Sequence, residues 1–137
     1  RAARIDKLNL NILNQTLNSY LYKDFDEIIP VWNLIKINQK KLLIRAENIF
    51  KNIPNNYFEI DKTIKSTIGG GTFPETYIKS VGIIMNDGKI LNKFEQYLLS
   101  LKLPIIGRIE KNSLLLDLRT IFEEYDSYLI SSINNYF

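Results

Sequence analysis

The 137-residue sequence contains no cysteine and no histidine. Without cysteine, the chain can form no disulfide, no thiolate nucleophile and no zinc–thiolate site. Without histidine, it has no imidazole for a catalytic triad, for an HExxH metal site or for general acid–base catalysis. These two absences exclude much enzyme chemistry, and the metal sites built on these side chains, from the chain itself.

The sequence also lacks long apolar runs and a strong excess of charge. No apolar run approaches the roughly 20 residues that a membrane-spanning helix needs. The net charge of +3 and the pI near 9.0 are too weak, by themselves, to indicate a nucleic-acid-binding protein. The hydrophobic fraction of 45% and charged fraction of 24% are typical of one globular domain with a real core.

Apolar residues at helical spacing predict most of the secondary structure. Leucines recur at that spacing in the first helix, with Asp6 as its N-cap, and Pro30 is expected to start or kink a helix in the second region. The predicted helical regions are residues 5–22, 26–53, 90–101 and 122–134.

β-Branched and aromatic residues in partly alternating runs predict four strands. These are residues 57–68, 77–85, 104–110 and 113–118, the last two joined by a hairpin at Lys111–Asn112. Strands joined by hairpins or by one helix favour an α+β fold, with a small, mostly antiparallel sheet and helices packed on it.

The stretch "STIGGGTFPE", residues 66–75, is the one most suggestive of a phosphate-binding loop. A Walker loop is excluded because no Lys-Ser/Thr pair follows Gly71. A dinucleotide-binding fingerprint is excluded because Pro74 follows and no G-x-x-G opens a helix. Glycines in such a run more often provide positive φ or close backbone approach, so we expect a structural role first.

Three phrases resemble segments of one enzyme family. "RAARIDKLNL" is similar to R-A-L-R-V-D-K-L-T-L, "GGGTFPE" to G-G-G-S-L-P, and "LPIIGRIEKNSLLLDLRT" to P-V-I-G-R-I-E-x-x-x-L-L-L-D-L-R-T. Their order and spacing are those of the bacterial selenocysteine synthases, the L-seryl-tRNA(Sec) selenium transferases. Together the phrases span nearly the whole chain.

The resemblance implies a fold-type I enzyme that depends on pyridoxal 5'-phosphate (PLP). Such an enzyme converts seryl-tRNA(Sec) to selenocysteinyl-tRNA(Sec) with selenophosphate. It is cytoplasmic, has no membrane partner and forms a homo-oligomer built from dimers. Residues 1–22 are expected to form a helix linking to a large PLP domain, and residues 23–137 a C-terminal small domain.

In that family the cofactor lysine lies upstream of the phrase with which this chain begins. We therefore expect a C-terminal fragment, inactive alone, with no catalytic, cofactor-binding or metal-binding residue of its own. The residues expected to bear on chemistry are Arg1 and Arg4, which resemble an anion site for the selenium donor. Planar guanidinium groups suit a dianion, although spacing alone also fits solvated arginines or ion pairs. Asp6 and Lys7 are expected to cap the helix and form a local ion pair.

The glycine segment, Gly69, Gly70, Gly71 and Thr72, is a possible rim of the active site, with Thr72 replacing the commoner serine.

The remaining charged and aromatic residues have a structural interpretation first. Arg108, Glu110, Asp117 and Arg119 are predicted to form cross-strand charge pairs on a solvated face, with tRNA backbone contact as the second interpretation. The aromatic residues are scattered as in a core, and Trp32 is predicted to anchor neighbouring helices.

Other functions stay open at this point. The chain could be a non-catalytic domain for assembly or tRNA contact, or part of a related PLP enzyme that acts on small amino acids. An unrelated small α+β binding module is a further class, against which the three ordered phrases count.

Overall fold

The computed structural model describes residues 5–68 and 77–137 of the chain. It divides into two compact units, Arg1–Lys36 and Ile37–Phe137. The division predicted from the sequence, at residues 22 and 23, stays a prediction.

The first unit is helical: α1 Lys7–Tyr22, α2 Phe25–Ile28 and α3 Pro30–Lys36. α1 ends at Lys23, which adopts the left-handed conformation with a φ of 60°. α3 begins at Pro30, as predicted, because proline lacks the N–H that the first turn of a helix leaves unbonded.

Aromatic side chains hold the three helices of this unit together. The indole N–H of Trp32 donates to the Tyr20 hydroxyl at 3.0 Å, which links α3 to α1. Phe25 stacks on Tyr20 at a centroid distance of 5.1 Å and meets the edge of Trp32 at 5.3 Å. The predicted anchoring role of Trp32 is therefore confirmed.

The second unit contains both sheets and the remaining helices. Its elements are α4 Gln39–Lys51, β1 Phe58–Asp61, β2 Lys65–Thr67, β3 Tyr77–Lys79, β4 Gly82–Met85, α5 Leu91–Ser100, β5 Arg108–Glu110, β6 Ser113–Asp117, a 3-10 turn Glu123–Tyr125 and α6 Asp126–Asn134. Four strands form an antiparallel sheet in the order β1-β4-β6-β5, and β2 and β3 form a separate antiparallel ribbon. The predicted α+β fold is confirmed.

Two of the predicted strands are each divided in two. Residues 57–68 form β1 and β2, because the Asp61 carboxylate accepts the Thr63 N–H at 2.6 Å and turns the chain. Residues 77–85 form β3 and β4, separated at Ser80 and Val81, both buried. The two continuous strands predicted from composition were wrong in this respect, because β2 and β3 pair with each other in a separate ribbon and do not extend the four-stranded sheet.

The predicted hairpin at Lys111–Asn112 is confirmed. Both residues have positive φ, 49° and 64°, as a two-residue turn between twisted strands requires. The strand before the turn is shorter than predicted and begins at Arg108 rather than at Pro104.

The core lies between the four-stranded sheet and helices α4, α5 and α6. On β6, Leu114 and Leu116 are buried in this core, and both are 1% exposed. The apolar face predicted for α4 is confirmed. Other fully buried members of the core are Leu42, Ala46, Ile49, Ile83, Met85, Phe94, Leu98, Leu129 and Ile133.

The opposite face of the sheet is partly covered by the segment that carries Ile64. A Cβ at Gly82 would lie 2.4 Å from the Leu116 carbonyl oxygen and 2.6 Å from Cδ1 of Ile64. Only glycine leaves room for the close approach of the β6 backbone at this position, beside which the Ile64 side chain also packs.

Among the helices of the described residues, none combines the length and apolar character needed to cross a membrane.

Candidate functional site

The predicted site residues Arg1, Arg4, Gly69, Gly70, Gly71 and Thr72 lie outside the described residues. The structure does describe the helix that begins just after the arginines and the strands on both sides of the glycine segment. The helix belongs to the first compact unit and the strands belong to the second.

Asp6 fixes the start of α1 directly after the two arginines. Its carboxylate accepts the backbone N–H groups of Leu8 at 2.9 Å and Asn9 at 3.0 Å. The bond from the Asn9 N–H is the main reason that the pKa of Asp6 lies below its ordinary value. The predicted N-cap is confirmed, whereas Lys7 makes no ion pair within residues 5–68 and 77–137.

The two strands of the ribbon enclose the glycine segment. β2 and β3 pair in the register Lys65 with Lys79, Ser66 with Ile78 and Thr67 with Tyr77. Because side chains alternate along a strand, Ser66 faces inward while its neighbours Lys65 and Thr67 face outward. The inward face meets the end of β6.

A buried carboxylate, Asp117, accepts bonds from both sides of the segment. Its Oδ2 accepts the Ser66 hydroxyl, and its Oδ1 accepts the Ser80 hydroxyl at 2.5 Å and the Arg119 backbone N–H at 3.0 Å. Asp117 is 7% exposed, and Ser66 and Ser80 are also buried. These three donors satisfy a carboxylate that would otherwise be costly to bury. We call Asp117, Ser66, Ser80 and Arg119 the polar clasp.

Arg119 completes the polar clasp from the turn after β6. One terminal nitrogen of its guanidinium donates to the Lys79 carbonyl oxygen at 2.7 Å, so the end of β3 is held as well. The residue is 4% exposed. Burial lowers the pKa of Arg119, and the negative charge of Asp117 opposes that shift.

The predicted arrangement of charges on β5 and β6 was wrong in two ways. Asp117 and Arg119 are buried rather than solvated, and Arg119 lies beyond the strand. Arg108 and Glu110 do form an exposed ion pair, at 3.5 Å, but along one strand rather than across two. The Arg108–Glu110 pair therefore confirms the solvated position predicted from the sequence but not the cross-strand pairing.

Sequence reasoning missed Ser66 and Ser80 altogether. Ser66 is a small polar residue at an inward strand position, and Asp117 follows the apolar run Leu114–Leu116. A polar residue in each of these places needs a buried partner, which was the available signal. The hydrogen bond between Ser66 and Asp117, which are 51 residues apart in the chain, could not be inferred from one sequence.

The polar clasp can position backbone but is poorly suited to catalysis by itself. Its hydroxyl groups donate to a carboxylate that is already fully engaged, so neither serine is activated as a nucleophile. Its structural consequence is therefore to hold β2 and the end of β3, the strands that flank the glycine segment in the sequence.

The described residues do not fit a cofactor or metal site. Every lysine of the chain is exposed, whereas a lysine that holds PLP lies in an enclosed pocket. Across residues 5–68 and 77–137, no group of three or more acidic side chains is placed to hold a metal ion.

Comparison with known protein families shows the family to which this chain belongs. A family model described as L-seryl-tRNA selenium transferase matches residues 1–122. The chain belongs to this selenium transferase family. The match includes the two arginines, the glycine segment and the polar clasp, and so confirms the resemblance noted in the sequence.

Curated members of the selenium transferase family give the same result. The chain is 36% identical over 137 residues to the L-seryl-tRNA(Sec) selenium transferase of Campylobacter fetus, covering 98% of this chain and 29% of that protein. It is 33% identical over 132 residues to the enzyme of Carboxydothermus hydrogenoformans, covering 93% of this chain and 28% of that protein. The Clostridium perfringens enzyme is 34% identical over 130 residues, with 90% and 28% covered. The chain thus spans less than a third of the length of these relatives.

Proposed function

We propose that this chain is the C-terminal part of a PLP-dependent selenium transferase. The full-length enzyme converts L-seryl-tRNA(Sec) to L-selenocysteinyl-tRNA(Sec) with selenophosphate, as a cytoplasmic homo-oligomer built from dimers. The observation that carries this proposal is the family match across residues 1–122, which includes all three motif phrases in their order.

Arg1 and Arg4 are proposed to bind the phosphate-like end of selenophosphate. Two guanidinium groups can make bidentate, charge-assisted bonds to one dianion. The Asp6 cap fixes the first turn of α1 just beyond them.

PLP, when bound, supplies an electron sink for replacement of the serine hydroxyl by selenium. It is proposed to be held by residues outside this chain, since the described lysines are exposed and do not fit its pocket. Gly69, Gly70, Gly71 and Thr72 are proposed to line the rim of that pocket. The polar clasp supports this proposal, because it holds the strands that flank these four residues in the sequence.

The anion role of Arg4 is tested in the full-length enzyme. Loss of a charge-assisted contact of about 1.5–3 kcal/mol predicts that Arg4→Ala raises the KM for selenophosphate about 10- to 150-fold. The KM for seryl-tRNA(Sec) should change little. Lys7→Ala, a nearby change of equal charge in α1, should leave both constants near wild type, and selenophosphate kinetics unaltered in Arg4→Ala would refute the assignment.

The same assay tests the substrate class. A full-length protein that acts on free L-serine, or another small amino acid, and ignores seryl-tRNA(Sec) would favour the related PLP enzymes instead. An enzyme that uses the tRNA substrate supports the proposal.

A second role, in assembly, is favoured by the apolar surface of α1. Leu10, Leu13 and Leu17 are 55%, 47% and 52% exposed, and Leu8 and Leu21 are more so. Leucines of one helix are seldom left in water unless another surface covers them. Leu13→Glu with Leu17→Glu should shift the full-length protein to smaller species in analytical ultracentrifugation, whereas an unchanged sedimentation profile would remove α1 from the assembly surface.

A further inference from the structure

We propose that the outward face of the β2–β3 ribbon binds the ribose-phosphate backbone of tRNA through Lys65 and Lys79, with Tyr77 beside them. This inference rests on the proposed function, which makes a tRNA the substrate. It adds an interaction surface to that function, on residues that none of the motif phrases contains.

The register of the ribbon brings the two lysines together. Lys65 and Lys79 are directly opposite one another, so their side chains leave the same face. Thr67 and Tyr77 are the next pair on that face. All four side chains are exposed, and Tyr77 is 55% exposed.

The polar clasp determines which face of the ribbon points outward. Ser66 lies between Lys65 and Thr67 and is fixed inward by its bond to Asp117. The guanidinium of Arg119 holds the backbone of Lys79 through its carbonyl oxygen. A one-residue slip would bury the lysines, so this pairing holds both amines on the surface.

The pairing of two lysines is unfavourable unless a negatively charged group lies close to both ammonium groups. Like charges directly opposite each other destabilise an antiparallel pair. Within the part of the chain that the structure describes, neither lysine forms an ion pair; the Lys65 ammonium instead lies 5.6 Å from the centre of the Tyr77 ring. Lys62 adds a third exposed cation just before β2. A bound polyanion would relieve this repulsion.

The exposed aromatic ring favours nucleic acid over an acidic protein surface. Surfaces that bind single-stranded nucleic acid combine lysines or arginines along the backbone with aromatic rings on which bases stack. Tyr77 provides such a ring next to both amines. The aminoacylated end of a tRNA is single-stranded, so it offers both phosphates and an unpaired base.

The test measures binding of full-length protein to tRNA(Sec) transcript across a salt series. Each lost phosphate contact lowers the slope of log K against log salt by roughly 0.7–0.9. Lys65→Gln with Lys79→Gln should therefore reduce the slope by about 1.4–1.8 and weaken binding about 25- to 60-fold at about 0.1 M salt. Tyr77→Ala should weaken binding about fivefold or more without changing the slope.

Lys93→Gln with Lys102→Gln is the matched control, since it removes the same charge from exposed positions in and after α5. It should keep the wild-type slope. The ribbon variant should be about as stable to urea as wild type, because relief of the like-charge pair offsets loss of the contact between Lys65 and the Tyr77 ring. A ribbon variant that matches the control in affinity and slope would overturn this inference alone. Wild-type protein that binds no tRNA would instead overturn the proposed function.

Discussion

The ion pair between Arg45 and Asp126 should contribute more to stability than any other ion pair of the described residues. Arg45 donates to the two carboxylate oxygens of Asp126 at 2.6 Å and 2.5 Å, which is a bidentate contact between α4 and α6. Its remaining nitrogen donates to the Leu118 carbonyl oxygen at 2.8 Å. The two side chains are only 6% and 16% exposed.

The loss of unfolding free energy in each variant depends on the polar groups that the substitution leaves without a partner. Arg45→Met retains the length of the side chain but leaves the Asp126 carboxylate and the Leu118 carbonyl without their donor. Breaking a buried pair by removing one partner costs about 3–5 kcal/mol. Because Asp126 is 16% exposed and can regain some water, we expect about 3 kcal/mol for Arg45→Met.

A surface ion pair between α4 and the 3-10 turn provides the matched control. Lys41 and Glu123 lie 2.7 Å apart, but their side chains are 64% and 62% exposed. Pairs of this kind contribute about 0–1 kcal/mol. Lys41→Met should therefore change the free energy of unfolding by less than about 1 kcal/mol.

Urea unfolding of wild type, Arg45→Met, Asp126→Asn and the double variant closes a thermodynamic cycle. We expect a coupling energy of about 2–3 kcal/mol, since the two groups share a bidentate contact. The slopes of the transitions should agree, so that the midpoints report stability. A loss from Arg45→Met no larger than that from Lys41→Met would refute the reasoning that burial makes this contact strong.

Two further predictions concern Asp117 and Asp6. Asp117→Ala should cost about 3 kcal/mol in urea unfolding, because it leaves buried hydroxyl and N–H donors without an acceptor; Asp117→Asn should cost less, since a hydroxyl can rotate to accept from the amide. Equal losses in the two variants would contradict this account of the polar clasp. For Asp6 the pKa is lowered by folding, so the cap stabilises α1 above the ordinary value of 3.8 and loses this effect as pH falls through the folded pKa. Protection of the Leu8 and Asn9 amides from hydrogen exchange, relative to the intrinsic exchange rate at each pH, should fall over that acid range in wild type but not in Asp6→Asn, and identical profiles would exclude a titrating cap.

Local signals in the sequence were sufficient for the starts of α1 and α3, for the apolar face of α4 and for the hairpin, but not for the break between Lys36 and Gln39. Pro30, Asp6 and the apolar stripe of α4 act within a few residues of themselves, and the structure places them as predicted. The turn at Lys111–Asn112 is equally local, because two positive φ values suffice to reverse the chain.

Long-range polar contacts were beyond such signals. Residues 57–68 and 77–85 each form two strands because β2 and β3 make a second sheet, whose inward residue Ser66 bonds to Asp117. β-Propensity alone cannot distinguish one long strand from two short ones. The burial of Arg119 was missed for a related reason. A charged residue at the end of a strand is expected to be exposed to solvent unless its buried partner is known.

The polar clasp physically connects two of the phrases by which the family was recognised. Asp117 and Arg119 belong to the "LLLDLRT" phrase, whereas the strands that they hold, β2 and β3, enclose the "GGGTFPE" phrase. Because Ser66 and Ser80 share one carboxylate, Ser66 of β2 and Ser80 after β3 cannot separate without breaking a buried hydrogen bond. The same carboxylate, through Ser66, keeps Lys65 on the outward face of the ribbon. The proposed rim and the proposed tRNA-binding face therefore depend on a single buried residue of β6, although neither contains it.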